Sequence, residues 1–218
     1  MARSENPPFG RGETYYGVVA LPAIDANNLG GKQFEGAVWE FEDVSYALGA
    51  VGAKQSRSNR RVKCMCVRNI SGINLLPKRL ANLTILLEAE VGQNLPAYLG
   101  QVDGYAYVES QRAYPIDEWL PAAGVAPNDL FWLVIEGPAT VLTALDGGAD
   151  NVYAIGQGVG ALTAATSQAT TAGRVEPINY SGATTALAAA IQNMVGHALS
   201  AATTANTNAG LLIEVGKW

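Results

Sequence analysis

Apolar residues in this chain come in short stretches separated by glycine, proline and asparagine, and most of these stretches read as β-strands. Leu130 to Ile135 is a continuous apolar run, the pattern of a strand buried on both faces. Gly137-Pro138 is expected to end it, and Ala139–Leu145 to begin another. Gly36 to Phe41 alternates instead, with Val38, Glu40 and Glu42 on one side and Trp39 and Phe41 on the other, as a half-buried strand does. Further strands are predicted at Tyr15–Ile24 (broken by Pro22), Val62–Arg68, Ile73–Leu76, Leu83–Leu87, Val152–Ile155, Val159–Thr163, Ala198–Thr203 and Gly210–Val215. Tyr98–Val108 reads as a hairpin turning at Asp103-Gly104, a dipeptide favoured in type I′ turns.

Asp43–Gly49 is compatible with one helical turn, and residues 52–61 read as an exposed basic loop. One helix is predicted, over Ser181–Asn193. Ser181 can cap it, Leu187, Ala190, Ile191 and Met194 recur at helical spacing, and Gly196 ends it. Many short strands with one helix predict an all-β barrel or sandwich. It forms a single domain over residues 14–218, with a sub-lobe boundary compatible with 137–150. Residues 1–13 form an extended N-terminal arm, because Pro7-Pro8 excludes helix. So short a segment has no core of its own and is either loose or laid on a neighbour.

Charge placement changes the picture more than composition does. Charged residues make up 15% of the chain, against about 25% in typical proteins. From Pro177 to Ile213 there is no Asp, Glu, Lys or Arg. From Ser45 to Leu87 there is no acid, yet that window holds Lys54, Arg57, Arg60, Arg61, Lys63, Arg68, Lys78 and Arg79, eight of fourteen cations. An ordinary soluble monomer intersperses both signs, so this segregation points to an assembly protein whose surface is largely covered by other subunits. The net charge of −5 excludes a globally basic nucleic-acid binder. The basic window contains Tyr46 as its one aromatic residue, whereas nucleic-acid platforms interleave aromatics with cations. Docking onto an acidic protein surface fits it better.

The first twelve residues are polar and proline-rich, without the apolar core of a signal peptide. Asn, Gln, Thr, Ser and His punctuate the uncharged stretch, so no membrane span is expected there.

Candidate chemistry is sparse. Cys64 and Cys66 share one face of a strand and suit two buried small hydrophobes, not a disulfide or a zinc site. His197 is the single histidine, and no carboxylate lies near it in sequence. Glu40 with Glu42, Glu88 with Glu90, and Asp117 with Glu118 are carboxylate pairs of the kind a hydrolase uses, but such pairs must flank a cleft. Gly156, Gly158 and Gly160 have the wrong spacing for a dinucleotide loop. No catalytic residue, cofactor or metal is expected. Tyr105, Tyr107, Tyr114 and Trp119 would form the exposed platform of a rival reading, a receptor- or glycan-binding virion protein such as a head fibre or adhesin.

Several segments carry a family resemblance. Arg68-Asn69-Ile70-Ser71-Gly72-Ile73-Asn74-Leu75-Leu76-Pro77-Lys78-Arg79 resembles a segment of tailed-phage head proteins. Asp117 to Val125, Asn128 to Trp132 and Glu136-Gly137-Pro138 are similar to the stretches next in order along those proteins. Gly196 to Thr204 and Leu211 to Val215 resemble the closing hairpin of capsid decoration (cement) proteins. The resemblance implies a β-barrel-type subunit, often trimeric, synthesised in the host cytoplasm. It would bind the major capsid protein on the virion exterior and stabilise the shell against internal DNA pressure, with no enzymatic activity, specific nucleic acid or membrane. The capsid-contact candidates are Arg3, Arg11, Arg57, Arg60, Arg61, Arg68, Lys78 and Arg79.

Overall fold

The computed structural model describes residues 7–15, 31, 34–45, 55–85, 99–106, 113–143, 152–162, 172–178, 191, 193–203 and 210–216. Among these the chain is all-β, with twelve strands. They are β1 (Val38–Ser45), β2 (Gln55–Asn69), β3 (Leu80–Ile85), β4 (Leu99–Tyr105), β5 (Ala113–Pro115), β6 (Leu130–Leu142), β7 (Val152–Tyr153), β8 (Gly158–Ala161), β9 (Val175–Pro177), β10 (Met194–Ala198), β11 (Ala202–Thr203) and β12 (Gly210–Val215). Ten strands form one sheet in the order β5-β3-β4-β2-β6-β12-β10-β8-β9, with β1 also paired to β2. The sheet curls into a half-barrel, and β7 and β11 form a separate ladder.

The organising element is β6. Its residues Leu130 to Glu136 pair with β2, and Gly137 to Leu142 pair with β12. Both ends of the sheet return to it, since Ile116 beyond β5 bridges Leu133 and Val175 of β9 bridges Thr143. Side chains cover strand β6 on both faces. Leu130, Trp132 and Val134 enter one core with Val62, Cys64, Cys66, Leu211 and Ile213. Phe131 and Leu133 enter a second with Val67, Leu75, Leu83, Val102 and Ile116. Each fully buried side chain of this kind stabilises the fold by about 1.5–3 kcal/mol, which is why the run is apolar without alternation.

Gly137-Pro138 does not end the strand, contrary to expectation. Gly137 has a φ of 98°, and a Cβ there would lie 2.6 Å from the Arg61 carbonyl oxygen. The glycine lets β6 bend past β2 and exchange partners without stopping.

Four other expectations are corrected. Residues 55–61 are the first half of β2, not a loop, and Asp43–Ser45 continue β1 against them instead of starting a helical turn. Their cations find carboxylates on the paired strand β1, in the turn at Glu118 and on β12, pairings that tertiary structure sets. Asp103-Gly104 lies within β4, where both residues oppose Asn82 as a bulge, and the Asn82 amide donates to Asp103 at 3.1 Å. Met194 and Gly196 belong to β10, not to a helix end. A Cβ on Gly196 would collide with the Glu214 carbonyl oxygen, so the closing ladder requires glycine there. Of the predicted helix, only Ile191 and Asn193 fall among the described residues, and of the Tyr15–Ile24 strand only Tyr15.

Residues 7–15 dock on the chain's own core. Tyr15 and Leu130 exchange backbone hydrogen bonds of 3.0 and 2.9 Å. Trp132 Nε1 donates to the Phe9 carbonyl at 3.2 Å, and the Phe9 ring stands between those of Trp132 (5.4 Å) and Tyr15 (5.8 Å).

Cys64 and Cys66 are buried free thiols. Burial pushes the Cys66 thiol up to about 12, the nearby Glu35 charge adding to the effect, and pushes Cys64 upward too. The thiolate is the reactive form, so the native protein is expected to be inert to Ellman's reagent at pH 8. Both thiols should react once guanidinium unfolds it; rapid native labelling would contradict this burial.

Candidate interaction surface

Much of the expected cationic surface is internal. Arg11 is buried, and its Nε and Nη2 donate to Asp117 Oδ1 at 3.1 and 2.9 Å, while the Gly12 amide donates to Asp117 Oδ2 at 2.6 Å. Burial pushes the Asp117 carboxyl up, and Arg11 with the Gly12 and Trp119 amides pulls against that. Arg57 extends the network. It donates to Asp43 Oδ1 (2.9 Å), Glu118 Oε2 (2.9 Å), Thr140 Oγ1 (3.2 Å) and the Pro138 carbonyl (3.3 Å). Its guanidinium also lies 5.9 Å from the centre of the Trp119 ring. Two arginines and three carboxylates thus tie the arm, β1, β2, β6 and the 117–119 turn together.

Three of the segments that carry the family resemblance, residues 68–79, 117–125 and 128–132, meet in one loop cluster. Arg68 is fully buried, paired through Nε with Glu35, and donates from Nη1 to the Asn128 carbonyl at 2.7 Å. Asn69 Nδ2 donates to the carbonyls of Ile73 and Val125 at 2.8 and 3.0 Å. Leu75 and Val125 exchange backbone hydrogen bonds of 3.0 and 2.8 Å. Lys78, half-buried with a φ of 61°, accepts from the Leu142 amide through its carbonyl at 2.7 Å. Arg79 lies 5.1 Å from the centre of the Tyr105 ring and donates to the Ala172 carbonyl at 2.9 Å. Burial, and then the charge of Arg79, pushes neighbouring Arg174 down. These residues act as scaffold.

Arg60 and Arg61 remain outside. Arg60 grips Glu214 with two hydrogen bonds of 2.6 Å. Arg61 has 73% of its side chain exposed and reaches Glu40 at 3.6 Å. Arg3 lies outside the described residues. Beside Arg60, an open groove of about 680 Å³ is lined by Arg60, Met194, His197, Leu199 and Glu214. His197 stands opposite Glu214 across the β10–β12 ladder. Burial raises the Glu214 carboxyl, and Arg60 partly offsets this. The turn holding Ile155, which is 72% exposed, abuts the end of β10 through Gly156 N–H to the Ala198 carbonyl at 2.8 Å.

Other candidates disperse. Asp117 and Glu118 are engaged with arginines, while Glu40 and Glu42 stand on the exposed side of β1, so these carboxylates do not face one another across a cleft. Tyr105 is core, its hydroxyl accepting from the Leu76 amide at 2.8 Å. Tyr114 and Trp119 are half-buried, and Tyr107, Glu88 and Glu90 lie outside the described residues. Sequence reasoning missed the Arg60–Glu214 clasp, which joins residues 154 positions apart, and the exposure of Trp39. Comparison with protein families, curated proteins and solved structures finds no match to this chain.

Proposed function

We propose that this chain is a non-enzymatic virion structural protein that binds the outside of a tailed-phage capsid lattice as a homo-oligomer, preferentially a trimer, and stabilises the shell. The supporting observation is the open groove beside β10, where Met194 and Leu199 give apolar surface next to His197 and the Arg60–Glu214 clasp, with exposed Ile155 in the adjoining turn and exposed Arg61 nearby on β2. A strip of low charge suits contact between copies, and cations beside it suit an acidic surface on the major capsid protein. Of the resembling segments, those around residues 68–79, 117–125 and 128–132 hold the loop cluster, while Gly196–Thr204 and Leu211–Val215 contribute His197, Leu199 and Glu214 to the proposed surface. Binding to the assembled lattice alone would stabilise it by mass action, and several contacts per oligomer would act together.

The test is the solution mass of the purified chain, followed by titration onto undecorated particles. The double variant Arg60→Glu, Arg61→Glu is expected to weaken binding by about tenfold or more at low salt, with the deficit shrinking as salt rises. Arg57 is left intact because it holds the buried network. A monomer without affinity for particles, or a variant that binds as well as the parent, would end this reading.

A further inference from the structure

Strand β1 pairs with β2 along one edge, and among the described residues nothing pairs with its other edge. Trp39 faces Cys64 and Phe41 faces Val62 in the β1–β2 register, two and four residues on from the bonded position where Cys66 N–H meets the Ala37 carbonyl. The alternation of an antiparallel ladder therefore turns the backbone N–H and C=O groups of Val38, Glu40 and Glu42 outward. The side chains of these three residues share one face. Trp39 and Val38 are each 44% exposed, and the Glu40 side chain is 54% exposed. Protected edges carry charges, proline or bulges. This one has a register shift at Glu42/Val44, while its Val38–Glu42 half sets a tryptophan beside backbone groups that no strand among the described residues pairs.

We propose that the outer edge of β1 accepts an extended segment of a partner protein as an added strand, and that this segment carries Lys or Arg at alternate positions with apolar residues between them. Residues directly opposite across such a pair sit about 5 Å apart, so alternate side chains of the incoming strand meet Glu40 and Glu42. The charges already near these acids compete weakly. Arg61 reaches Glu40 and Lys63 reaches Glu136 at 3.6 Å each, in exposed pairs that water screens. The intervening residues meet the other face, where Trp39 supplies apolar surface. A second copy of this chain is a poor occupant. Two β1 edges related by a two-fold axis would run antiparallel, and the registers centred on this half would oppose Glu40 to Glu40 or to Glu42 of the copy, an arrangement that like charges destabilise. Main-chain bonding with alternate side-chain selection is an established recognition mode, and strand addition at β1 does not depend on the shell-binding reading.

The test uses the full chain and two capped octapeptides, Gly-Lys-Val-Lys-Val-Lys-Val-Gly and its counterpart with Glu for Lys, with amide hydrogen exchange of Val38, Glu40 and Glu42 as the readout. The basic peptide is expected to slow exchange at these amides by about tenfold or more, and the acidic peptide to leave them unchanged. The double variant Glu40→Lys, Glu42→Lys should reverse the preference while exchange in β6 stays as in the parent. Protection by neither peptide, equal protection by both, amides already protected in the chain alone, or protection that rises with protein concentration without peptide would each overturn the proposal.

Discussion

Replacing Asp117 with alanine is expected to lower the free energy of unfolding by about 3–5 kcal/mol, read from denaturant titration. The carboxylate holds Arg11 and the Gly12 amide in a place without water. Its loss would leave a buried guanidinium whose nearest remaining acid is Glu118 Oε1 at 3.8 Å, and Glu118 is already committed to Arg57. The cost comes from the orphaned charge more than from any net gain by the pair. The double variant Arg11→Met, Asp117→Leu should therefore recover most of the loss, because a well-packed apolar pair often matches a buried ion pair. Residues 7–15 should also become sensitive to proteolysis in the single variant. A loss below about 1 kcal/mol would show that the clasp is not closed in solution.

Trp132→Ala should cost a similar amount, about 3–5 kcal/mol, by lost transfer energy and an unfilled cavity. The ring lies near the start of β6, 5.4 Å from Phe9 and 5.1 Å, edge-on, from Phe41. It therefore joins the arm and β1 to the core at one point. Trp132→Phe separates packing from hydrogen bonding. It keeps most of the volume but removes the donor to the Phe9 carbonyl, for an expected loss of about 1–3 kcal/mol. Equal losses for the two variants would mean that the indole N–H, not the ring volume, dominates.

The consequences of these two sites differ in how visible they are along the chain. The apolar run around Trp132 announces a strand buried on both faces, and the structure supplies both cores. Nothing near Arg11 announces Asp117, 106 residues away. The basic window looks like a docking patch when its residues are read one after another. Folding instead spends Arg57, Arg68 and Arg79 on internal carboxylates, carbonyls and an aromatic ring, leaving Arg60 and Arg61 toward solvent. The Gly137-Pro138 and Asp103-Gly104 signals were misleading for a related reason. Each permits a chain reversal, but a neighbouring strand is placed to absorb the irregularity as a bend or a bulge.

Periodicity and turn residues, which act over a few positions, were enough to identify an all-β chain, the buried apolar run of β6, the two buried cysteines on one face and the final strand Gly210–Val215. Which cations are inside, where the sheet exchanges partners, that Glu214 meets Arg60 and stands opposite His197, and that β1 has no second partner among the described residues all emerged on folding. Those features depend on pairings between residues far apart in the chain, whose energies come from burial and charge neutralisation in three dimensions and leave no trace in local spacing.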